Sequence, residues 1–500
     1  MDKPTMHMLS VQEKGGETKK LNQYVAAVAA SIGAVAAGTI LAWTSPALPQ
    51  LEPPQNTTTN LTEIDIFFLN ETSKDNVSDV LVNALGQPAD FLLNTRDSSL
   101  VSSILAIGAA ISALPVGFSA ERFGRRPTIL MLALPFLLNW LLTIFANGSG
   151  MLIAARFFAG LGTGGICVCA PMYIGEVAET SIRGSLGSFF QLFLTVGILF
   201  TFVVGGWTHW RTLSIISAVF PVLLIAVFWW MPETPQYLLG KNRRRDAERS
   251  LRWLRGPLAD LSGELEEMQK DVDTASRQSA GILSMVTNRA PLMALICSLG
   301  LMFFQQFSGI NAVIFYTNNI FQSAGSNIPP VIATIIVGVV QTIATYISSL
   351  LIEKAGRRIL LLQSCIIMGI CLIVLGTYFK LQESGANVGT FGWLPLICLV
   401  LFIVSFSLGF GPIPWMMMSE LFAVEFRGTA SGIAVITNWC LVFIVTLCFP
   451  LLKDMIGIYS CFWVFSGFMI ICVFFVFFLI PETKGKTVSQ IQTILGGKRA

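Results

Sequence analysis

Charge is scarce in this chain. Asp, Glu, Lys and Arg make up 12% of its 500 residues, about half the roughly 25% usual in soluble domains. A water-soluble fold could not cover its surface with so little charge, so an assembly of two or three soluble domains is excluded. Histidine is scarcer still: His7 lies in the N-terminal tail and His209 at a loop. No cluster of acids, Cys or His has metal-ligating or catalytic spacing. A membrane enzyme therefore lacks support, and no cofactor or metal is expected. The ten cysteines all lie inside apolar stretches, which leaves no extracellular disulfide framework. The net charge of +3 is too small and too scattered for a nucleic-acid binder. A cleavable signal peptide is not expected either. The first apolar run, Val25 to Leu48, is too long and lacks a small-residue cleavage site after it.

What is abundant is apolar: AVILMFWYC reach 54%. Stretches of about 20 apolar residues match a bilayer. Twelve are read, at 22–48, 98–119, 127–146, 151–174, 185–206, 208–231, 289–317, 328–352, 359–380, 391–418, 429–452 and 458–480. They must be helices, because a lipid-exposed backbone has to satisfy its own hydrogen bonds. The expected fold is all-α, integral to the membrane. With alternating sides, 26 Lys and Arg fall inside and 5 outside, Arg156 lying within a span; this is a strong positive-inside bias. The sequons at Asn56, Asn60, Asn70, Asn76 and Asn147 all fall outside by the same parity and are the expected glycosylation sites. Both termini are therefore expected in the cytoplasm. Neither tail carries an acidic dileucine signal, which favours the plasma membrane.

Two segments stand outside the membrane. Residues 49–97 form an acidic, sequon-rich external loop. Residues 232–288 form a cytoplasmic linker in which 243–256 and 263–272 have helical spacing of apolar residues. The basic run there is read as a solvated, orientation-setting face. The chain also repeats itself. ERFGRR (121–126) and EKAGRR (353–358) follow spans two and eight. Glu176 with Arg183 and Glu420 with Arg427 follow spans four and ten at one internal spacing, and PET recurs at 232 and 481. One six-helix unit is thus used twice. The expected division is a tail (1–21), a six-helix bundle (22–231), the linker (232–288), a second bundle (289–480) and a tail (481–500). Two parallel repeats are the geometry of alternating-access transporters.

These motifs, with ARFFAGLGTGG (155–165), MYIGEVAETSIRGSLGS (172–188), PETPQYLL (232–239), QQFSGINAVIFYTNNIF (305–321), GFGPIPWMMMSELF (409–422), FRGTAS (426–431) and PETKGKT (481–487), give the resemblance. Over nearly its whole length the chain resembles the sugar porter family of the major facilitator superfamily. SPALP (45–49) and SLRWLRG (250–256) look closest to the insect facilitated trehalose/glucose transporter group. The resemblance implies a neutral sugar as the partner, with membrane lipid around it.

Polar side chains within spans default to functional hypotheses. Sugar hydroxyls both donate and accept, and so do neutral amides. Gln191, Gln305, Gln306, Asn311, Gln341 and Asn438 lie on spans five, seven, eight and eleven. They converge only if the two bundles face each other. The alternative for each is an interhelical hydrogen bond, worth about 0.6 kcal/mol; Asn139 and Gln363 are read that way. Similarity to the family maps the first six, with Phe406 and Trp415, onto sugar-contacting positions. Gln341 stands where hexose carriers usually have Asn, and Ser407 where well-known glucose carriers have Glu. On an ideal helix Gln306 and Asn311 are about 140° apart, so a break at Gly309 is expected. Phe315 and Tyr316 beyond it would then swing as an external gate. Gly160, Gly162, Gly164 and Gly165 are read as close helix packing. The resemblance further implies that Glu176, Arg183, Glu420 and Arg427, with Arg125, Arg126, Arg357 and Arg358, form ion pairs between the halves that close the cytoplasmic side.

Proton symporters of this family carry an acid in span one that pairs with the span-four arginine. Here Val25 to Leu48 contains no Asp or Glu, so passive uniport is favoured over symport. A sugar sensor of the same fold is the other alternative, and tails of about 20 residues disfavour it. The sugar itself, trehalose or a hexose such as glucose, stays open.

Overall fold

The computed structural model describes residues 20–52, 91–179, 181–257, 261–277, 285, 287–324, 328–386, 388, 391–422, 424–486 and 488–496. Among them twelve helices are long and apolar enough to cross a bilayer. In chain order the spans are Leu21–Leu51, Thr95–Phe123, Arg125–Ile144, Ser149–Val177, Ser185–Gly205, Trp210–Phe228, Arg289–Ala324, Pro330–Ile352, Arg357–Glu383, Leu394–Met418, Thr429–Ile456 and Ile458–Leu479. They match the expected spans to within a few residues at most ends. No strand occurs among the described residues. Because the number of spans is even, residues 20 and 496 lie at one end of the bundle, here called the tail end; the other is the far end. The expected sites Asn56, Asn60, Asn70 and Asn76 lie outside the described residues, whereas Asn147 is exposed in the short connection between spans three and four.

Polarity is arranged for a lipid solvent. Large apolar side chains such as Leu134, Ile343, Leu350, Phe474 and Phe478 are exposed on the outside, while Ser31, Ser102, Asn139, Arg156, Gln305 and Asn438 are buried. The same helix pairs pack in each set of six: one with five and seven with eleven, two with four and eight with ten, three with four and nine with ten. Two of the contacts between the sets follow the same two-fold relation, span two with eleven and span five with eight, and span one also meets span seven. All ten cysteines are free.

Glycine sets how closely the helices approach. A Cβ on Gly160 would lie 2.0 Å from the Leu105 carbonyl oxygen, and one on Gly108 2.3 Å from that of Phe157. Spans two and four therefore meet backbone to backbone, as small residues permit where no hydrophobic effect drives helices together. Spans one and five do the same through Gly38 and Gly197, at 2.1 and 2.3 Å from Leu194 and Val35 carbonyls.

Four spans are interrupted, span six among them, at Ala218 between Trp210–Ser217 and Val219–Phe228. Span one bends at Trp43, between Leu21–Ala42 and Thr44–Leu51. Span seven breaks between Arg289–Phe307 and Ile310–Ala324, where Gly309 has φ +83°. Span ten breaks between Leu394–Leu408 and Ile413–Leu421. Between spans six and seven lie the helices Pro235–Gly240, Arg244–Arg255 and Ser262–Arg277; Val488–Leu495 follows span twelve. Two of the linker helices were expected; Pro235–Gly240 and Val488–Leu495 were not. Arg255 departs from the solvated face expected of the basic run. It is 1% exposed and donates to Glu264 (2.6 Å) and to the Val177 carbonyl (2.9 Å), which ties the linker to the tail end of span four.

Gly160→Val should lower thermal stability through overpacking, by about 1–3 kcal/mol. Gly175→Ala, where an added Cβ meets nothing within 4 Å, should stay within about 0.5 kcal/mol of the parent. Melting of the two purified variants in one detergent compares them, and equal midpoints would refute the close approach of spans two and four.

Candidate functional site

The broken helices create the site. At the span-ten break the backbone of Phe410 and Gly411 leaves the helical ladder, and their carbonyls need donors. Gln305, on span seven, supplies them: its Nε2 donates to the Phe410 carbonyl at 2.6 Å and lies 3.2 Å from that of Gly411. Its Oε1 in turn accepts from Asn438 Nδ2 of span eleven (2.8 Å) and from Gln306 Nε2 (3.4 Å). Asn311 Nδ2 donates to Gln306 Oε1. The turn at Gly309 makes this last bond possible, because it rotates Asn311 onto the face of Gln306 that an unbroken helix would deny it. Gln305, Gln306, Asn311 and Asn438 thus form one connected chain of neutral amides, with donors and lone pairs to spare.

The other expected members lie around this chain. Gln191 is half-buried on span five and Gln341 is 3% exposed on span eight; the Gln341 Oε1 has no partner. Their helices pack together, and Thr342 Oγ1 donates to the Thr195 carbonyl (3.4 Å) beside them. Phe406 is buried just before the span-ten break and Trp415 is half-buried just after it. Phe315 and Tyr316 are both buried, and the Tyr316 hydroxyl donates to the Thr446 carbonyl (3.3 Å). Asn139, turned to suit its neighbours, donates to the Ala155 carbonyl (3.0 Å), a structural bond. Gln363 is exposed on span nine.

Arg156 is fully buried in span four. Its Nη1 donates to the Ile40 carbonyl (2.8 Å), its Nε to that of Val101 (3.3 Å), and the guanidinium lies 5.7 Å from the Trp43 ring. Its partners among the described residues are one carbonyl of span one, one carbonyl of span two and an aromatic face.

At the tail end the charged pairing differs from the expectation. Glu176 pairs with Arg125 (2.7 Å) and Glu420 with Arg357 (3.0 Å), each within its own set of six spans. Arg183 is exposed and donates to the Ala178 carbonyl (3.4 Å); the side chain of Arg427 lies outside the described ones. Arg126 and Arg358 each donate to the carbonyl of an aromatic residue after or near the end of a span, Trp229 and Phe477. The reason is local. Gly124 and Gly356 have φ +110° and +91° and start spans three and nine. The first helical N–H groups need an acceptor, and the PET motifs provide it. Glu233 accepts from the N–H of Arg125 and Arg126 (3.1 Å each), and Glu482 from those of Arg357 and Arg358 (3.0 Å each). Thr234 and Thr483 then hydroxyl-bond Glu176 and Glu420. Each PET caps a helix and braces an ion pair, a role that the repeat marked but the sequence did not explain.

The far end holds residues that sequence reasoning missed. Thr44 Oγ1 donates to the Phe315 carbonyl (3.3 Å) and the Asn318 N–H to Ser45 Oγ (3.3 Å). Glu52 accepts from Ser98 and from Asn319 Nδ2 (3.0 Å), and burial pushes its carboxyl above the ordinary range against the pull of those bonds. Ser45, Asn318 and Asn319 sat inside the quoted motifs SPALP and YTNN, which was the available signal. These bonds join span one to span seven. A cavity of about 300 Å³ beside them is lined by Ser45, Gln50, Phe202, Asn318, Gln322 and Thr334, nearer the far end than the amides.

Twelve spans in two matching sets, broken at spans seven and ten around buried amides, define a membrane protein of the major facilitator fold. The chain belongs to the family described as "Sugar (and other) transporter", whose model matches residues 56–495. It is 39% identical over 477 residues to the "Facilitated trehalose transporter Tret1" of Drosophila virilis, covering 95% of this chain and 49% of that protein. It is 38% identical to the protein of the same name from Anopheles gambiae, covering 95% and 56%. The chain therefore spans about half the length of the curated relatives it matches. Its fold is that of the xylose transporter XylE from E. coli in a partially occluded inward-open conformation, with TM-score 0.73, 22% identity, and coverage of 93% of this chain and 100% of that one. The proton:xylose symporter XylE bound to 6-bromo-6-deoxy-D-glucose gives TM-score 0.73 at 24% identity, over 95% and 99%.

The two PET carboxylates differ. Burial holds Glu233 above the ordinary carboxylate range; at Glu482 burial is outweighed by backbone N–H donors, which bring it below. A lowered value means that Glu482 contributes stability above its unfolded pKa and loses it as pH falls through the folded one. Glu482→Gln should therefore lower the melting midpoint at pH 7, and the deficit should shrink as pH drops below the carboxylate range. Glu233→Gln should cost less at pH 7. Melting at neutral and acid pH tests this; equal costs at pH 7 would count against it.

Proposed function

We propose that this protein is a facilitative carrier that moves a neutral sugar, trehalose or a hexose such as glucose, across the plasma membrane by alternating access. The observation that carries the proposal is the chain of uncharged amides at the broken helices. It offers both donors and acceptors and no fixed charge, which suits hydroxyls that do both. Relatives named as facilitated trehalose transporters support a disaccharide. Gln191, Gln305, Gln306, Asn311, Gln341, Phe406, Trp415 and Asn438 are the proposed contacts. Gln305 has a double role, because it also braces the span-ten backbone.

The bundles at 22–231 and 289–480 are the proposed moving bodies. The excess of Lys and Arg at the tail end supports its assignment to the cytoplasm. Phe315 and Tyr316 are the proposed external gate, reinforced by the Glu52–Asn319 bond. The charged clusters at the tail end then act by stiffening each bundle. Uniport is favoured over proton symport because span one carries no acid between Val25 and Leu48 and, among the described residues, Arg156 rests on carbonyls.

Uptake of labelled trehalose and glucose should be measured in cells lacking their own sugar carriers. With no Asp or Glu between Val25 and Leu48 of span one, flux should equilibrate the sugar and be nearly insensitive to a protonophore and to pH between roughly 5.5 and 7.5. Accumulation above the outside level that the protonophore abolishes would replace uniport with symport.

The amides make a second prediction. A neutral hydrogen bond is worth a net 0.5–1.5 kcal/mol or so, which is about 2- to 13-fold in affinity. Gln306→Ala and Gln191→Ala should raise the half-saturation concentration by that factor with surface protein retained. Asn139→Ala should leave affinity alone and lower protein level. Unchanged half-saturation in both glutamine variants would move the site to other helices.

A further inference from the structure

A second cavity, of about 320 Å³, lies at the tail end where spans seven, nine and twelve meet the helix Val488–Leu495. Its wall is of two kinds. Arg289 and Arg358 are cations at the first turns of spans seven and nine; Met293, Phe478, Ile494 and Leu495 are apolar. Arg289 is exposed and has no acidic partner among the described residues. Arg358 gives one Nη2–H to the Phe477 carbonyl, and its Nε is buried without a partner. Glu482, next to Pro481 of the wall, is engaged by the backbone N–H groups of Arg357 and Arg358. Two cations against the single carboxylate of Glu482 leave the local charge positive.

The cavity opens beside a lipid-facing surface. Phe474, Phe477 and Phe478 of span twelve are 59%, 52% and 73% exposed on the outside of the bundle. A soluble anion would use the two arginines and leave the apolar wall wet. A neutral lipid would use the wall and leave the cations unpaired. A molecule with an anionic head and acyl chains uses both. We infer that this cavity seats the head group of an anionic phospholipid, with its phosphate between Arg289 and Arg358 and its chains along Phe474 and Phe478. Basic pockets between helices at the cytoplasmic side recognise such heads by this chemistry. The placement of that leaflet rests on the cytoplasmic assignment made above; the lipid preference itself does not. Among the described residues of the first set, Lys20, before span one, faces Glu179 at 3.9 Å, and Arg126 stands where the second set has Arg358.

Native mass spectrometry of the purified full chain tests the inference, with phosphatidylserine, phosphatidylcholine and soluble glycerophosphoserine as probes. One phosphatidylserine should be retained in preference to phosphatidylcholine, and glycerophosphoserine should not displace it. Arg289→Gln should weaken retention about five-fold, the effect of one cation at a membrane surface, and Arg289→Lys should restore it. Lys380→Gln, at the far end, should have no effect. Equal retention of the two lipids, unchanged retention in Arg289→Gln, or displacement by the soluble head group would each overturn the site.

Discussion

A membrane interior offers no water to repair a broken backbone, and this constraint shapes the protein. Every interrupted helix must find donors and acceptors from its neighbours. At span ten the repair is the Gln305 amide on the Phe410 and Gly411 carbonyls. The repairing side chain is held by Asn438 and Gln306, and Gln306 by Asn311. A backbone defect and a polar site are therefore one object. Neither is stable alone: the break without Gln305 leaves carbonyls unpaired in a dry bundle, and the amides without the break lose their anchor. An interhelical hydrogen bond in a membrane is worth only about 0.6 kcal/mol on average. A connected set is more demanding, because removal of one member strands the others.

The tail and far ends are built on different energetics. At the tail end each set of spans carries an ion pair, a capping carboxylate and a threonine bridge, all internal to that set. Charge-assisted bonds of this kind are the strong ones, and here they hold one bundle together rather than two bundles to each other. The polar links between spans one and seven at the far end are neutral or single-charge bonds, such as Thr44 to Phe315 and Asn319 to Glu52. A few bonds near 1 kcal/mol each bias a two-state equilibrium without fixing it. Rigid bundles with a weakly bonded seam are what a rocking motion between them requires.

The sequence made much of this legible, and unevenly so. The spans were plain because a bilayer demands length and apolarity together. Close packing of span four was readable from Gly160, Gly162, Gly164 and Gly165, since only a missing Cβ allows it, but that span two is the neighbour was not. The kink at Gly309 followed from the angular mismatch of Gln306 and Asn311. The partners of the charged residues were not readable. Glu176 is seven residues from Arg183 in sequence, yet it pairs with Arg125 because Gly124 turns span three toward it and Glu233 holds that turn. Such pairing depends on the three-dimensional meeting of three segments, which spacing along one segment cannot reveal. The far-end bonds of Ser45 and Asn319 were hidden for a different reason: short polar residues near span ends are common and carry no pattern of their own.

The two repeats, equal in topology, differ in how their spans are held. In the first, glycine sets span two against four and span one against five, leaving little room for adjustment. The second holds the connected amide chain at the breaks of spans seven and ten. A close glycine contact has a single well-defined geometry, because a shift of a few tenths of an ångström meets backbone. An amide chain can exchange one partner for another at small cost, since each amide donates and accepts. The first repeat is therefore suited to serve as a stiff frame and the second as the part that reorganises around a polar guest. Gln191 and Gln341, on the spans where the repeats touch, belong to neither network, and each is left with hydrogen-bonding capacity that the protein does not use.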